Sequence, residues 1–438
     1  MSAYRNSTHF GRWTVSYLKL IFVLVLLAVS LGACSSAKAQ IVYVTPAGIA
    51  SPTPFQPDAG QFDSPFDVTE IPVIPFATDT NGIPLEQSLT PTPTSAVPNF
   101  PILNLAPDIN PLTGLPPSDP ALLERRPLAI KISNYPREIR PQFGLTLADQ
   151  VFEYYIEWGD TRFIGIFYGN DSKQVGPVRS GRYFDEHIVR MYHAFYVFNF
   201  ADPRELNYFK NSDIEPYMVT PGCPSCTCPP FFVYNPGKLA DEHHLALYFD
   251  TTKFFDCNLK KGIDNSRQPI RNGFFSELIP NSDQQVNRIY TKYSSEDYDY
   301  WQYDPTTLKY LRFQETAPVT LTASESYAPL MDAATGEQVN AQNVVVLYAQ
   351  HTFANQFDAV DEVYHIDLTG SGRAYIFRDG IAVPGKWYRA ATDQPLFLTT
   401  TSGSPVFLRP GRTFYEVIGV SSTNYQDENG WYFAFRTP

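Results

Sequence analysis

The sequence predicts an α+β protein, with a mixed α/β N-terminal domain followed by a mainly antiparallel β C-terminal domain. Strand-like runs and one helical period alternate between residues 127 and 200, as an α/β layer requires. Beyond residue 269 the apolar runs are short, β-branched and aromatic. Turn signals at Asp379-Gly380, Pro384-Gly385 and Pro410-Gly411 punctuate them at antiparallel spacing. Aromatics make up 15% of the 438 residues and there are 38 prolines, a composition that argues against a mainly helical chain.

In chain order, Arg5, Arg12 and Lys19 precede an apolar run at Leu20–Val29, too short to remain as a membrane-spanning helix. The run ends in Leu31-Gly32-Ala33-Cys34, which resembles a bacterial lipobox. Residues 1–33 therefore read as a lipoprotein signal peptide, and Cys34 as the acylated first residue of the mature protein. Each buried acyl CH₂ contributes about 0.8 kcal/mol to such an anchor. Residues 34–106 (SPTPF, LTPTPTSAVP) are rich in Pro, Thr and Ser, cannot build a packed core and read as an extended tether.

The N-terminal domain is placed at 107–268. Pro127–Ser133 and Gln150–Tyr168 read as strands, the second divided by a turn at Trp158-Gly159-Asp160. Asp185 is positioned to cap a helix whose apolar residues Ile188, Met191, Tyr192 and Phe195 fall at i, i+3, i+4 and i+7. Ala194–Phe200 reads alternatively as a buried strand. Residues 214–268 form an irregular insertion carrying Cys223, Cys226, Cys228 and Cys257. The C-terminal domain, 269–438, contains strand signals at Val286–Lys292, Tyr298–Tyr303, Tyr310–Phe313, Val344–Ala349, Val363–Leu368, Arg373–Arg378 and Phe414–Gly419.

A family resemblance runs through these segments. Arg126-Pro127-x-Ala129 with Asn134, then Arg140–Leu145, Ala148–Glu153, Thr161–Phe163 and Gly176–Ser180, resemble the YerB-like lipoproteins. Asn110–Pro116, Thr335–Val346, Gly385–Trp387 and Leu408–Thr413 fit in the same order. The resemblance covers roughly residues 107–420. It implies two domains, no settled biochemical activity, and a family histidine at the position of His243. Two positions depart: Ser133-Asn134 stands where the family has Asp-Asn, and Phe414 where Trp follows the Thr.

Charged residues inside aromatic strands are costly unless paired or facing a cleft. That rule selects Arg140, Glu153, Glu157, Arg162, Arg179 and Arg182 as ligand-binding candidates, and the family resemblance adds Asn134 and His243. Arg140, Arg179 and Arg182 could clamp an anion, because guanidinium presents fixed paired donors. Glu153 and Glu157 invite a glycosidase reading, but i and i+4 on a strand lie about 13 Å apart. Glycoside hydrolysis needs carboxyls within about 5–9.5 Å, so a bulge or a third carboxylate such as Asp149 or Asp160 would be required. The competing reading of the same charges is a structural ion-pair network. Outside the membrane the four cysteines read as two disulfides, and the C-x₂-C spacing of Cys223 and Cys226 leaves zinc as the alternative.

Net charge is −12, and the first 33 residues hold three basic residues and no acid, leaving −15 beyond them. Such a surface repels nucleic acid and anionic lipid. No G-x-S-x-G, H-E-x-x-H or P-loop pattern is present, and no cofactor is called for. The expected protein is lipid-anchored at the outer face of the bacterial cytoplasmic membrane and non-catalytic. Through a charged cleft in its N-terminal domain it would bind an envelope glycan, peptide or protein. The alternatives are an envelope hydrolase or transferase using Glu153 or Glu157 with His243, and a scaffold without a small ligand.

Overall fold

The structure, a computed structural model, describes residues 105–221, 230–234, 246–254, 262–270, 274–354 and 362–437. The signal peptide, Cys34, nearly all of the tether, His243 and the four insertion cysteines lie outside the described residues.

The first half contributes β1 (Leu128–Ser133), β2 (Gln150–Glu157), β3 (Asp160–Phe167), α1 (Asp185–Tyr192), β4 (Phe195–Val197), α2 (Pro203–Lys210) and β5 (Met218–Val219). A separate pair, β6 (Phe231–Val233) and β7 (Leu247–Phe249), follows. The second half begins with β8 (Arg288–Lys292), β9 (Tyr298–Asp304), β10 (Lys309–Glu315), β11 (Tyr327–Pro329) and β12 (Asn340–Ala341). Next come β13 (Asn343–Phe353), β14 (Tyr364–Asp367), β15 (Gly370–Arg378), β16 (Ile381–Arg389) and β17 (Phe397–Thr400). The chain closes with β18 (Thr413–Gly419), β19 (Thr423–Gln426) and β20 (Trp431–Ala434).

Two sheets organise these strands. The larger runs β17-β16-β15-β13-β18-β2-β3-β1-β4-β5, with β14 added to β13. The smaller runs β11-β10-β9-β8-β20-β19, with β12 added to β10. Residues from both halves of the chain share the larger sheet. Its middle strand β18 lies parallel to β13 on one side and to β2 on the other, with Glu416 opposite Glu153. Every residue of β1 and β18 is buried, which explains their near-continuous apolar character: both faces of the sheet are covered.

One face meets the smaller sheet. Trp301 on β9 packs edge-on against Phe414 on β18, with centroids 4.8 Å apart. The other face meets α1 and its approach, where Tyr154 lies 4.5 Å from Phe184 and Phe152 lies 6.4 Å from Tyr192. Ile188, Met191 and Tyr192 are buried as the helical period predicts. Helix α1 ends at His193, whose left-handed backbone (φ 50°) stops the helix and lets Phe195 join β4.

The turn at Trp158-Gly159 is present, with φ of 50° and 92°. Three expectations are corrected. The mixed α/β character of the N-terminal segment is too strong, because its helices are only eight residues each and the described structure is predominantly β. Asp185 is the first residue of α1 rather than its cap, which is Phe184. Pro384-Gly385 is not a turn but the middle of β16, where Gly385 pairs with both Ala374 and Thr400. A side chain at Gly385 would run into the Thr399 carbonyl, so close strand approach selects the glycine. No helix among the described residues is long and apolar enough to cross a membrane.

Because β2 and β18 are neighbours in one sheet, residues 107–268 and 269–438 expressed separately should each lack a cooperative thermal transition, whereas the intact chain should melt in one step. Near-UV circular dichroism with heating checks this; a folded isolated half would contradict it.

Candidate functional site

Four strands bring a set of charges together between the two sheets. Arg312 on β10 is fully buried, and its guanidinium meets Glu153 at 2.6 Å, Glu416 at 2.9 Å and Asp299 at 3.3 Å. Strand alternation explains the meeting. Glu153 and Glu416 are register partners on β2 and β18, while Arg312 pairs with Trp301, two residues from Asp299 on β9. Trp301 Nε1 donates to Glu416 Oε1 at 2.9 Å and the Tyr293 hydroxyl donates to Oε2 at 3.0 Å. Thr161 and Asn134 donate to Glu153 Oε1 at 2.6 and 3.2 Å. Asp297 continues the network, accepting from the Thr161 hydroxyl at 2.7 Å and from Gln314 at 3.1 Å.

Three carboxylates share one guanidinium, so the cluster carries surplus negative charge in a closed core. Burial, reinforced by Glu416 and Asp297, holds the Glu153 carboxyl well above the usual range against the pull of Arg312. Burial does the same to Asp299, with Glu416 and Glu153 adding to it. No hydrogen bond reaches either oxygen of Asp299, so its ionised form lacks support beyond Arg312. For Arg312, burial opposes the charge, but Asp299, Glu153 and Glu416 outweigh it and raise its pKa. Oxygens of Glu153, Asp299 and Glu416 lie within 4.8 Å of one another, a spacing that suits a hard cation. Arg312 pairs with all three and supplies the positive charge there itself.

Arg140 belongs to the same side. It bonds Glu315 at 2.8 Å and the Asn134 backbone carbonyl at 3.1 Å, and so stands apart from Arg179 and Arg182. Arg140 is thereby spent on Glu315 and Asn134, whereas Arg182 meets Glu157 and Glu205.

A second cluster lies on the helix-covered face. Lys131 and Asp185, both fully buried, pair at 3.0 Å, and the Tyr154 and Tyr196 hydroxyls donate to Asp185 at 2.5 and 2.6 Å. Burial lowers the Lys131 pKa to about 7 although Asp185 opposes it. A β-bulge between Tyr155 and Glu157 breaks the i, i+4 alternation. It takes Glu157 away from the company of Glu153 and delivers it to Arg182, which bonds it, and to Arg162 at 3.8 Å. Arg182 also lies 3.7 Å from Glu205, and Arg162 donates to the Ser180 carbonyl at 3.0 Å. Burial first, then Arg182 and Arg179, lowers the Arg162 pKa to about 9. Burial raises Glu205 to about 7 against Arg182.

Glu153 and Glu157 thus serve different clusters, and Glu153 has no exposed surface with which to reach a substrate. Asp149 is also committed: it accepts from the Tyr168 and Gly169 amides at 2.7 and 2.8 Å and from Asn110 at 2.9 Å. It lines a recess of about 150 Å³ with Arg412, whose guanidinium is spent on the Thr146, Ala148 and Asn340 carbonyls.

Sequence reasoning missed Arg312, Glu416, Asp299 and Asp297. The signal was the one that found Glu153: a charge inside an aromatic or β-branched strand, as in Tyr310-Leu311-Arg312-Phe313 and Phe414-Tyr415-Glu416-Val417.

Replacing Arg312 with Met should destabilise the chain by roughly 3–5 kcal/mol, because it strands three buried carboxylates. Asp299→Asn should instead match or exceed the parent stability at pH 7.5 and lose that advantage at pH 5; urea unfolding at both values reads the contrast. The pH dependence of the parent follows from the same charges. Folded-state carboxyls raised to about 6 at Asp149 and about 7 at Asp160, Glu205 and Glu315, with Glu153 and Asp299 also raised, bind more protons than the unfolded chain. Stability should therefore fall as pH rises from about 4.5 to about 7. His187 and His351, lowered by burial to about 3 and about 4, oppose this slope below about pH 6.5 but are outnumbered by these carboxyls, and Lys131 acts in the opposite sense only above about pH 7. Tm recorded across that window checks the slope; a rising Tm would contradict it.

Comparison with known proteins places this architecture. Residues 112–253 match the family described as "Protein of unknown function (DUF3048) N-terminal domain", and residues 289–415 match its C-terminal domain. YerB of Bacillus subtilis (strain 168), named as a lipoprotein, is 24% identical over 312 residues, which is 70% of this chain and 85% of that protein. The crystal structure of the YerB protein from Bacillus subtilis shares the fold. Its TM-score is 0.56 at 22% identity, covering 71% of this chain and 96% of that one. The chain belongs to the YerB-like family, whose two DUF3048 domains it carries in order.

Proposed function

We propose that this chain is a lipid-anchored extracytoplasmic protein, held through Cys34 at the outer face of the bacterial cytoplasmic membrane. There it binds an anionic envelope component through Arg162, Arg179 and Arg182. A lipobox-like Leu31–Cys34 and a relative named as a lipoprotein support the anchor. The Pro-, Thr- and Ser-rich composition of residues 34–106 supports the tether, and an even set of four cysteines suits an oxidising compartment.

The observation that carries the binding reading is the gathering of guanidiniums at this one place, where Arg182 and Arg179 both lower the Arg162 pKa. Arg162 and Arg182 meet Glu157, Arg182 also meets Glu205, and Glu205 gives up part of its charge near neutral pH. A guanidinium whose pKa its arginine neighbours depress, as Arg162's is, gains from an added carboxylate or phosphate. Trp158, adjoining Glu157, is 63% exposed, and Phe200, whose carbonyl accepts from Gly181, is 57% exposed. Aromatic surface beside arginine is the composition that binding hot spots favour.

The scaffold reading draws support from the Arg312 cluster, which is architecture rather than a binding floor. The hydrolase or transferase reading loses Glu153, which is sealed in the core.

Arg179→Gln in the full chain should weaken binding to isolated cell walls that retain their anionic polymers by on the order of tenfold, and the parent binding should fall with added salt. Co-sedimentation in detergent reads both. Parent binding that is absent or independent of salt would overturn the proposal.

A further inference from the structure

The outward face of the smaller sheet carries an aromatic row that the core does not need. Tyr425 on β19 is the register partner of Tyr432 on β20, which pairs with Tyr290 on β8, then Tyr300 on β9, then Phe313 on β10. Five adjacent strands thus place one ring each in a single line. Neighbouring centroids are 4.6, 4.5, 5.2 and 4.6 Å apart, so the row runs about 19 Å at the spacing of the strands themselves. Buried residues of these strands, Ile289, Trp301, Arg312 and Phe433, alternate with the row and face the core. The row is on the opposite side, partly exposed throughout and 59% exposed at Tyr425.

The ring geometry decides what the row can hold. Three of the four neighbouring pairs are nearly parallel, at 6°, 0° and 5°. Stacked rings turn their negative faces toward one another and leave their positive edges outward. Four of the five edges also carry a hydroxyl. Arg288 adds a guanidinium, 3.2 Å from the Tyr290 hydroxyl and 5.4 Å from the Tyr300 centroid. Lys292, nearby on the same strand face, is balanced by Glu325 at 2.8 Å. On a chain of net charge −12 this strip is hydroxyl-rich, with the Arg288 guanidinium at Tyr290 and Tyr300 and the Asp427 carboxylate toward Tyr432. It complements an extended, oxygen-rich, weakly anionic polymer. An apolar helix would leave the hydroxyls without partners, and an anionic bilayer would be repelled by the rest of the molecule.

We infer that the Tyr425–Tyr432–Tyr290–Tyr300–Phe313 row is a docking strip for the glycan strand of peptidoglycan, with Arg288 reading a lactyl carboxylate left free where a stem peptide has been removed and Tyr425 offering its open outer face to a sugar ring. The inference rests on the extracytoplasmic placement proposed above but uses a surface separate from the arginine cluster.

The test is co-sedimentation of the full chain, in detergent, with peptidoglycan sacculi stripped of attached anionic polymers. The parent should sediment. A Tyr425→Ala, Arg288→Gln double variant should lose roughly five- to tenfold in affinity while keeping its Tm within a few degrees. Both positions are at the exposed side of the sheet, and Tyr425→Ala alone provides a milder variant should the double one fail to fold. A parent that ignores stripped sacculi, or a folded double variant that binds as the parent does, overturns the strip. If the parent binds only walls that retain anionic polymers and only Arg179→Gln weakens that binding, the strip fails and the arginine site stands. Binding to anionic phospholipid vesicles in place of sacculi likewise overturns it.

Discussion

The fold depends on one buried cation. Arg312 rises from the smaller sheet into the space against the larger one and forms ion pairs with carboxylates from both. A sandwich interior is normally apolar, and placing four ionisable groups there costs desolvation that only close, mutual pairing offsets. Their geometry leaves little freedom. A one-residue slip of β2, β18 or β10 would turn the corresponding charge to the other face and strand its partners. The cluster therefore specifies register across strands that are up to 263 residues apart in sequence, from Glu153 to Glu416. Its charge surplus is the reason the core favours retained protons.

On the opposite face the same sheet solves a second problem with less charge. Lys131 and Asp185 neutralise each other beneath α1, and two tyrosine hydroxyls complete the shell of the carboxylate. The bulge before Glu157 then redirects one carboxylate toward Arg162 and Arg182. A local irregularity in β2 thus separates what is structural in this strand from what reaches the surface. Glu153 anchors the sandwich, and Glu157 borders the arginine patch.

Much of the architecture was legible because strand and turn signals are local. Trp158-Gly159 marked the hairpin, and the spacing of Ile188, Met191 and Tyr192 marked α1. The extent of helix was overestimated because a short amphipathic period reads the same whether it lasts two turns or four. Gly385 was taken for a turn because close approach to another strand selects the same residue as a tight bend. The charged strands were recognised as a network in the N-terminal half alone. Arg312, Asp299 and Glu416 completed it from the other half, through a parallel β18–β2 pairing that no local pattern announces. For Glu157, the decisive feature was a bulge, and its sequence gives no sign of one. The aromatic row was invisible for the related reason that its members belong to five strands and align only through register.

A double-mutant cycle between Arg312 and Glu416 tests the central claim most directly, using Arg312→Met, Glu416→Leu and the pair together in urea unfolding. If the cluster joins the two sheets, the double variant should be less destabilised than the sum of the single ones by about 1–3 kcal/mol, because each single change strands the other's charge. Additivity within about 0.5 kcal/mol would mean that the two groups are neighbours without being coupled, and would contradict the account.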